Sequence, residues 1–453
     1  MSNNTIILGA GMTGLAAGFV SGLPVFEAAD SPGGICSSYY VRPGDQERHM
    51  LAPSDAEVYR FEIGGGHWIF GGDPAVLHFM ERFVKLKRYA RQSSVYFQKE
   101  GLYVPFPLQN HLRFLDRDLA ERALGEMAEK QGPLRTMKEW LGKNFGATLC
   151  QLFFYPFNEL YTAGLYDRIA PQDAYKSPVD LSLVSQGASG KTTPAGYNAT
   201  FAYPEEGLNV LAQGLSNHCR IEHGKRVTHI DTGSNTLSFD DGSALPYEAL
   251  ISTLPLNNVT KMADKPIGPE PDPYTSVLVL NIGAVRGDRC PNDHWLYTPG
   301  TLSGFHRVGF YSNVDPSFLP LSARRNRDRV SIYVERAYMG GNKPSDDDMA
   351  RYARSTVREL QDWGFVRDTE VVDPTWIDVA YTWSWPGSDW KRIALETLQK
   401  HGIYQVGRYG RWVFQGIADS IRDGLLLGSA FRGNPRIAKS HPLNLPNGRI
   451  GGK

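Results

Sequence analysis

The sequence predicts an α/β protein: a Rossmann-like parallel sheet, a helical insertion and a second, mostly antiparallel sheet. Three observations predict it. A glycine-rich turn joins a short apolar run to a helical pattern at the N-terminus. A long stretch from Asp116 to about Asn158 is rich in helix formers with apolar residues at helical spacing. Strand-like runs follow at Ser276 to Val285, Gly304 to Tyr311 and Val330 to Val334.

Thr5-Ile6-Ile7-Leu8 is an apolar run of the kind that forms a strand buried on both faces. GAGMTG follows, from Gly9 to Gly14, and Leu15 to Val20 reads as a helix. Pro24-Val25-Phe26-Glu27 reads as a second strand ending in an acid. Gly9 suits a tight turn, Gly11 a close approach to a pyrophosphate, and Gly14 close helix packing. The helix N-terminus offers unpaired N–H groups and the positive end of a dipole to phosphates. Glu27 is placed to accept hydrogen bonds from ribose hydroxyls. Strand, turn, helix, strand and acid in this order point to dinucleotide binding.

Farther along, Ala75 to about Arg88 reads as a helix, and Tyr96 to Val104 as a hairpin around Lys99-Glu100-Gly101. Gly207 to Asn217 reads as a helix, Arg220 to Thr232 as strands, and Thr236 to Leu245 as a hairpin across Asp240-Asp241-Gly242. Ala249 to Pro255 is an apolar strand, Arg351 to Trp363 a helix, Tyr404 to Gly410 a strand into a glycine turn, and Ile417 to Leu427 a helix. These divide the chain into a discontinuous nucleotide-binding domain (1–75, 205–265 and 402–445), a mainly helical domain (76–204) and an antiparallel-sheet substrate domain (266–401).

Lys+Arg and Asp+Glu both number 48, so the formal net charge is zero. That argues against a nucleic-acid or anionic-membrane binder, since both need a basic excess. No run approaches the ~18 apolar residues of a membrane span. Cys36, Cys150, Cys219 and Cys290 have no metal or redox spacing, so reduced, mostly buried thiols and a cytoplasmic location are expected. No metal site is expected. Oligomeric state is not legible, and a homo-oligomer is compatible with the composition.

The loop DSPGGICSS, Asp30 to Ser38, resembles the FAD-binding amine-oxidase-like superfamily, in which this loop, with Gly33 and Gly34 here, runs along the cofactor. Within it the chain resembles the UDP-galactopyranose mutase family, on four further segments. FEIGGGHWIF, Phe61 to Phe70, is similar to a segment that lies against the flavin ring. The match puts His67 on the flavin face, Gly65 and Gly66 against the cofactor, and a glycine carbonyl at flavin N5. VPFPLQN, Val104 to Asn110, is similar to a Pro-aromatic-Pro stretch whose glutamine reads uracil. That implies Gln109 on the base, with Phe106 and Asn110 lining its pocket. GFHRVGFYSN, Gly304 to Asn313, resembles a strand whose arginine binds the diphosphate, which gives Arg307 that role. An arginine fork can hold two phosphate oxygens at once. GRYG, Gly407 to Gly410, resembles the last flavin-contacting element. That implies Arg408 at the FAD pyrophosphate and a helix N-terminus at Ala418-Asp419-Ser420 aimed at the flavin ring.

The resemblance implies a pyranose–furanose mutase for a nucleotide-activated sugar, with reduced FAD as nucleophile through N5 at the anomeric carbon and NAD(P)H as a candidate reductant. Two tyrosines that the family places on the diphosphate are absent: Phe414 stands at one position and Trp385-Pro386 at the other. A second family arginine falls near Pro178-Val179, where none is present; Lys176 or Arg422 are the nearby cations. These departures keep two other classes open. One is an FAD-dependent oxidase or dehydrogenase of the amine-oxidase or protoporphyrinogen-oxidase type. The other is a non-catalytic flavin-binding protein.

Overall fold

The structure is a computed structural model that describes residues 4–127, 134–172, 181–188, 199–265 and 267–433. The Pro178-Val179 pair, Lys176 and the last part of the expected C-terminal segment lie outside them.

Five parallel strands form the N-terminal sheet, in the order Arg220–Glu222, Pro24–Phe26, Thr5–Leu8, Ala249–Ser252, Ile403–Gln405. Thr5–Leu8 lies at the centre and is buried throughout, as its unbroken apolar run requires. Segments from three distant parts of the chain thus meet in one sheet. Helix Met12–Ser21 covers it and packs on the C-terminal helix Ile417–Gly433. The two backbones nearly touch. A Cβ on Gly424 would fall on the Thr13 carbonyl oxygen, and one on Gly428 on that of Ala17.

The second large sheet has seven strands, in the order Val366–Thr382, Tyr274–Arg286, Arg329–Met339, Arg307–Phe310, Trp295–Tyr297, Ser93–Phe97, Leu102–Pro105. All its pairings are antiparallel except that of Trp295–Tyr297 with Ser93–Phe97. The hairpin at 93–105 therefore joins this sheet, although it belongs to the stretch read as mainly helical. Helices Arg117–Glu126, Met137–Leu149 and Tyr155–Tyr161 follow it. Thr136 and Glu139 form a reciprocal cap at the start of the second.

Several boundaries differ from the sequence reading for physical reasons. The helix expected over 75–88 ends at Glu81, and Leu86–Ala90 becomes a strand by pairing with Thr200–Pro204. The helix expected from Arg351 starts at Asp346. Ser345 caps it, and the three aspartates of its first turn suit the positive end of the helix dipole. The 17-residue strand Val366–Thr382 was not anticipated. It is an edge strand, where charged residues and Pro374 are tolerated. All four cysteines are free; Cys150 is fully buried and the other three half-buried, somewhat more open than expected.

The contact between the first and last helices gives a direct test. Gly424→Val should destabilise the protein by about 1–3 kcal/mol through overpacking against Thr13. Urea midpoints should fall accordingly; an unchanged midpoint would show that the two backbones are not in contact.

Candidate active site

The glycine turn has two kinds of glycine. Gly9 has φ 94°, and a Cβ there would strike the Thr253 hydroxyl. A Cβ on Gly14 would overlap the Gly9 carbonyl oxygen. Both are required by the fold itself. Gly11 is not: its φ is −68°, and a Cβ there meets nothing within 4 Å. It is the N-cap of helix Met12–Ser21, whose first amides receive no side-chain cap. Open space in front of uncapped amides is what a pyrophosphate needs, so these residues fit the expected dinucleotide. Gly33 donates its N–H to Ala10 at 2.8 Å, and Gly34 lies beside the Gly11 Cα. The two glycine loops thus form one cradle.

Glu27 holds this turn as well. Its two carboxylate oxygens accept the N–H groups of Ala10 at 2.6 Å and Ala29 at 2.9 Å. Each oxygen keeps a lone pair for a ribose hydroxyl. At the C-terminal side, a Cβ on Gly407 would press on Thr13, which brings the GRYG turn against the start of the first helix. Arg408 donates to the Ala380 and Gln415 carbonyls at 3.0 and 3.2 Å, with its guanidinium over the Phe414 ring at 4.6 Å. Asp419 and Ser420 sit in the first turn of helix Ile417–Gly433, bonded to the Gly416 N–H and the Gln415 amide.

Each of the three glycines before His67 is pressed by a different neighbour. A Cβ on Gly64 would enter the His67 ring, one on Gly65 would meet Glu335 Oε1 at 2.8 Å, and one on Gly66 would meet the Tyr333 hydroxyl. The loop therefore lies directly on strand Arg329–Met339. His67 Nδ1 is buried without a partner. Burial, reinforced by the positive charges of Arg408 and Arg307 and opposed by Glu335, pulls the His67 pKa down to about 4. The imidazole is neutral at physiological pH.

Arg307 does not wait free for a phosphate. It sits directly across the sheet from Glu335 and donates to it from Nε at 3.0 Å and Nη2 at 2.6 Å. Glu335 is buried, which opposes its ionisation. Arg307, aided by His306, overcomes this and holds the carboxyl down to about 2. Glu335 Oε1 also lies 3.5 Å from the Gly66 N–H. The fork expected to hold two phosphate oxygens thus has two of its three nitrogens engaged by a carboxylate.

The remaining predicted residues separate into two groups. The Phe106 ring lies 4.5 Å from that of Tyr297, which faces Arg307 across the sheet, so the VPFPLQN and GFHRVGFYSN segments do converge. Gln109 and Asn110 are buried, at 1% and 5% exposure, in the turn Leu108–Asn110. A Cβ on Gly187, in helix Leu181–Ala188, would overlap the Asn110 carbonyl. Trp385 donates its indole N–H to the Pro271 carbonyl at 3.1 Å and its backbone N–H to Asp272 at 3.0 Å. Just before it, strand Val366–Thr382 brings Tyr381 to the arginines. Its ring lies 4.8 Å from Tyr161 and 5.5 Å from the Arg408 guanidinium. Sequence reasoning missed Glu335, Tyr381, Tyr161 and Tyr297. For Glu335 the signal was a lone carboxylate in the apolar run VSIYVERAYM.

Two substitutions separate fold from ligand at the cradle. Gly11→Ala should leave the unfolding free energy within about 0.5 kcal/mol of the parent while lowering the flavin-to-protein absorbance ratio. Gly14→Ala should lower both. Equal flavin content in the parent and Gly11→Ala would contradict the assignment of that space. At the ion pair, Glu335→Ala should cost about 3–5 kcal/mol by stranding the Arg307 charge. Arg307→Met combined with Glu335→Leu should recover most of that loss in the same unfolding measurement; additive losses would rule out the coupling.

Comparison with known proteins places this geometry. Among solved structures, reduced UDP-galactopyranose mutase matches with a TM-score of 0.80 at 22% identity, covering 97% of this chain and 99% of that one. A protein described as a candidate protoporphyrinogen oxidase from Exiguobacterium sp. 255-15 matches with a TM-score of 0.69 at 14% identity, over 95% and 99% of the two chains. Putrescine oxidase bound to putrescine gives 0.57 at 16% identity, over 94% and 98%. At these identities the matches establish a shared fold. Residues 16–426 match the family of flavin-containing amine oxidoreductases, and the chain belongs to that family.

Proposed function

We propose that this protein is a reduced-FAD-dependent pyranose–furanose mutase acting on a nucleotide-activated sugar. The observation that carries the reading is Arg307, fixed by Glu335 through Nε and Nη2 beside the Gly65–Gly66 loop. A guanidinium held rigid where a diphosphate must leave is a preorganised donor, aimed before the reaction begins. Arg408 adds a second positive charge near His67, and neutral His67 adds none. With Glu335 ionised, Arg307 and Arg408 leave one net positive charge, a field that favours an anionic leaving group over a protonated amine. The likeness to reduced UDP-galactopyranose mutase supports the same reading.

Bound reduced FAD would supply the nucleophile at the anomeric carbon. The chain's own residues then have separable tasks. Gly9 to Gly14, Gly33, Gly34 and Arg408 hold the cofactor. The glycine–histidine loop would lie against the cofactor, held there because Gly65 and Gly66 pack without Cβ atoms onto Glu335 and Tyr333. Arg307 orients the diphosphate as it leaves and returns. Phe106, packed on Tyr297, would line the pocket for the base. NAD(P)H is the proposed reductant.

A second reading has its own support. The Arg307 fork is largely spent on Glu335, and neither Phe414 nor Trp385 has a phenol to offer a phosphate. An oxidase or dehydrogenase acting on an uncharged substrate would fit such a pocket. One experiment separates the two. Dithionite-reduced holoprotein is incubated without oxygen with UDP-hexopyranoses, and products are resolved by chromatography. The mutase reading expects a furanose product with no net change in flavin redox state. No isomerisation, together with substrate-dependent hydrogen peroxide release in air, would select the oxidase.

A further inference from the structure

Pro271 and Asp272, the two residues that hold Trp385, also line an open cavity of about 540 Å³. It lies where helix Leu256–Met262 meets the starts of strand Tyr274–Arg286 and helix Trp390–Lys400. It shares no lining residue with the nucleotide cradle, the glycine–histidine loop or the strand of Arg307. Two polar side chains that line it are buried, Asp272 at 2% exposure and Asn257 at 6%. Asp272 Oδ1 accepts the Trp385 N–H at 3.0 Å. Asp272 Oδ2 and Asn257 Oδ1 have no hydrogen-bond partner among the described residues. Lys391 acts on Asp272 through its charge without a hydrogen bond to it. Buried acceptors left unmatched are costly, so the cavity asks for a ligand that carries donors.

The rest of the lining narrows the class. Tyr274 and Trp390 give it aromatic walls, and Trp412 packs edge-on against both rings, at 6.0 and 5.3 Å, which fixes them. Such walls suit a flat, largely apolar ring. Lys261, exposed, and Lys265, half-buried, add positive charge, while Asp264 lies 3.6 Å from His229 Nδ1. We infer that this cavity is a second ligand site, for a small anion built on an amino-substituted heteroaromatic ring: the chemistry of an adenine, guanine or cytosine nucleotide. The ring amine donates to Asp272 Oδ2 and Asn257 Oδ1, whose terminal torsions are soft enough to turn toward it. The ring packs on Trp390 and Tyr274, and the phosphate meets Lys261 and Lys265. Uracil has no exocyclic amine, so the site rejects uridine nucleotides. It is independent of the mutase reading.

Binding of AMP, GMP, CMP and UMP to the fully flavin-loaded protein is measured by calorimetry, with urea midpoints as a control. Bound FAD keeps AMP out of the cradle. Asp272→Asn can keep the oxygen that accepts the Trp385 N–H while replacing Oδ2 with an amide nitrogen, which would meet the ring amine donor to donor. The inference expects at least one of AMP, GMP and CMP to bind the parent. Asp272→Asn should then lower that affinity about 10- to 100-fold, the range for one charge-assisted hydrogen bond, with any UMP binding unchanged. Lys261→Ala combined with Lys265→Ala removes charge without touching the buried acceptors. It should weaken the same nucleotide about 2- to 5-fold, the range for exposed charges, and leave its nucleoside unaffected. This second variant decides the matter if Asp272→Asn lowers the urea midpoint. No binding of the three nucleotides at millimolar concentration, a loss shared by UMP, or unchanged affinity in either folded variant would overturn the inference.

Discussion

Arg307 and Glu335 lie opposite one another on adjacent strands, paired through two guanidinium nitrogens, with Glu335 buried against the glycine–histidine loop and Arg307 half-buried beside it. A buried ion pair of this kind adds little net stability, because desolvation of the two charges offsets their attraction. Its importance is geometric. The carboxylate stops the arginine from swinging and sits against Gly65 and Gly66. It thereby sets the distance between the glycine–histidine loop and strand Arg329–Met339. Tyr333, one pleat earlier on the same face, presses on Gly66 in the same way. Gly65 and Gly66 follow from that crowding, since a side chain at either would part loop from sheet, while Gly64 is required by the His67 ring and the Ile35 carbonyl.

The same logic of contact through missing side chains runs through the nucleotide cradle. Gly14 rests on Gly9, Gly407 on Thr13, and Gly424 on Thr13 from the opposite helix. Segments near residues 10, 407 and 424 are thus locked together although hundreds of residues separate them. Gly11 alone among these leaves room rather than filling it. A cradle built this way is rigid before a ligand arrives, so binding costs little ordering entropy.

Much of this was legible in the sequence, and the division follows physical range. The first strand, the turn and the first helix are encoded within fewer than 25 residues, so their spacing alone marks them. The GGG segment was visible as a close-approach site, but not what approaches it. The Arg307–Glu335 partnership depends on strand register, which no local pattern records. The same is true of Tyr297, an ordinary aromatic in the sequence whose meaning comes from the strand beside it. Trp385 was chosen by matching a Tyr-Pro pair, yet its indole N–H is used on Pro271, while Tyr381 reaches the arginines. The strand Leu86–Ala90 reads locally as the end of a helix because its partner, Thr200–Pro204, lies more than 100 residues away.

The central claim is that Arg307 receives the diphosphate of a nucleotide sugar while Glu335 keeps its hold. A crystal structure of the reduced holoprotein with bound UDP tests it most directly. The account predicts phosphate oxygens within hydrogen-bonding distance of Arg307 Nη1, with Glu335 still bonded to Nε and Nη2. UDP bound away from Arg307, or absent from crystals soaked at saturating concentration, would contradict it.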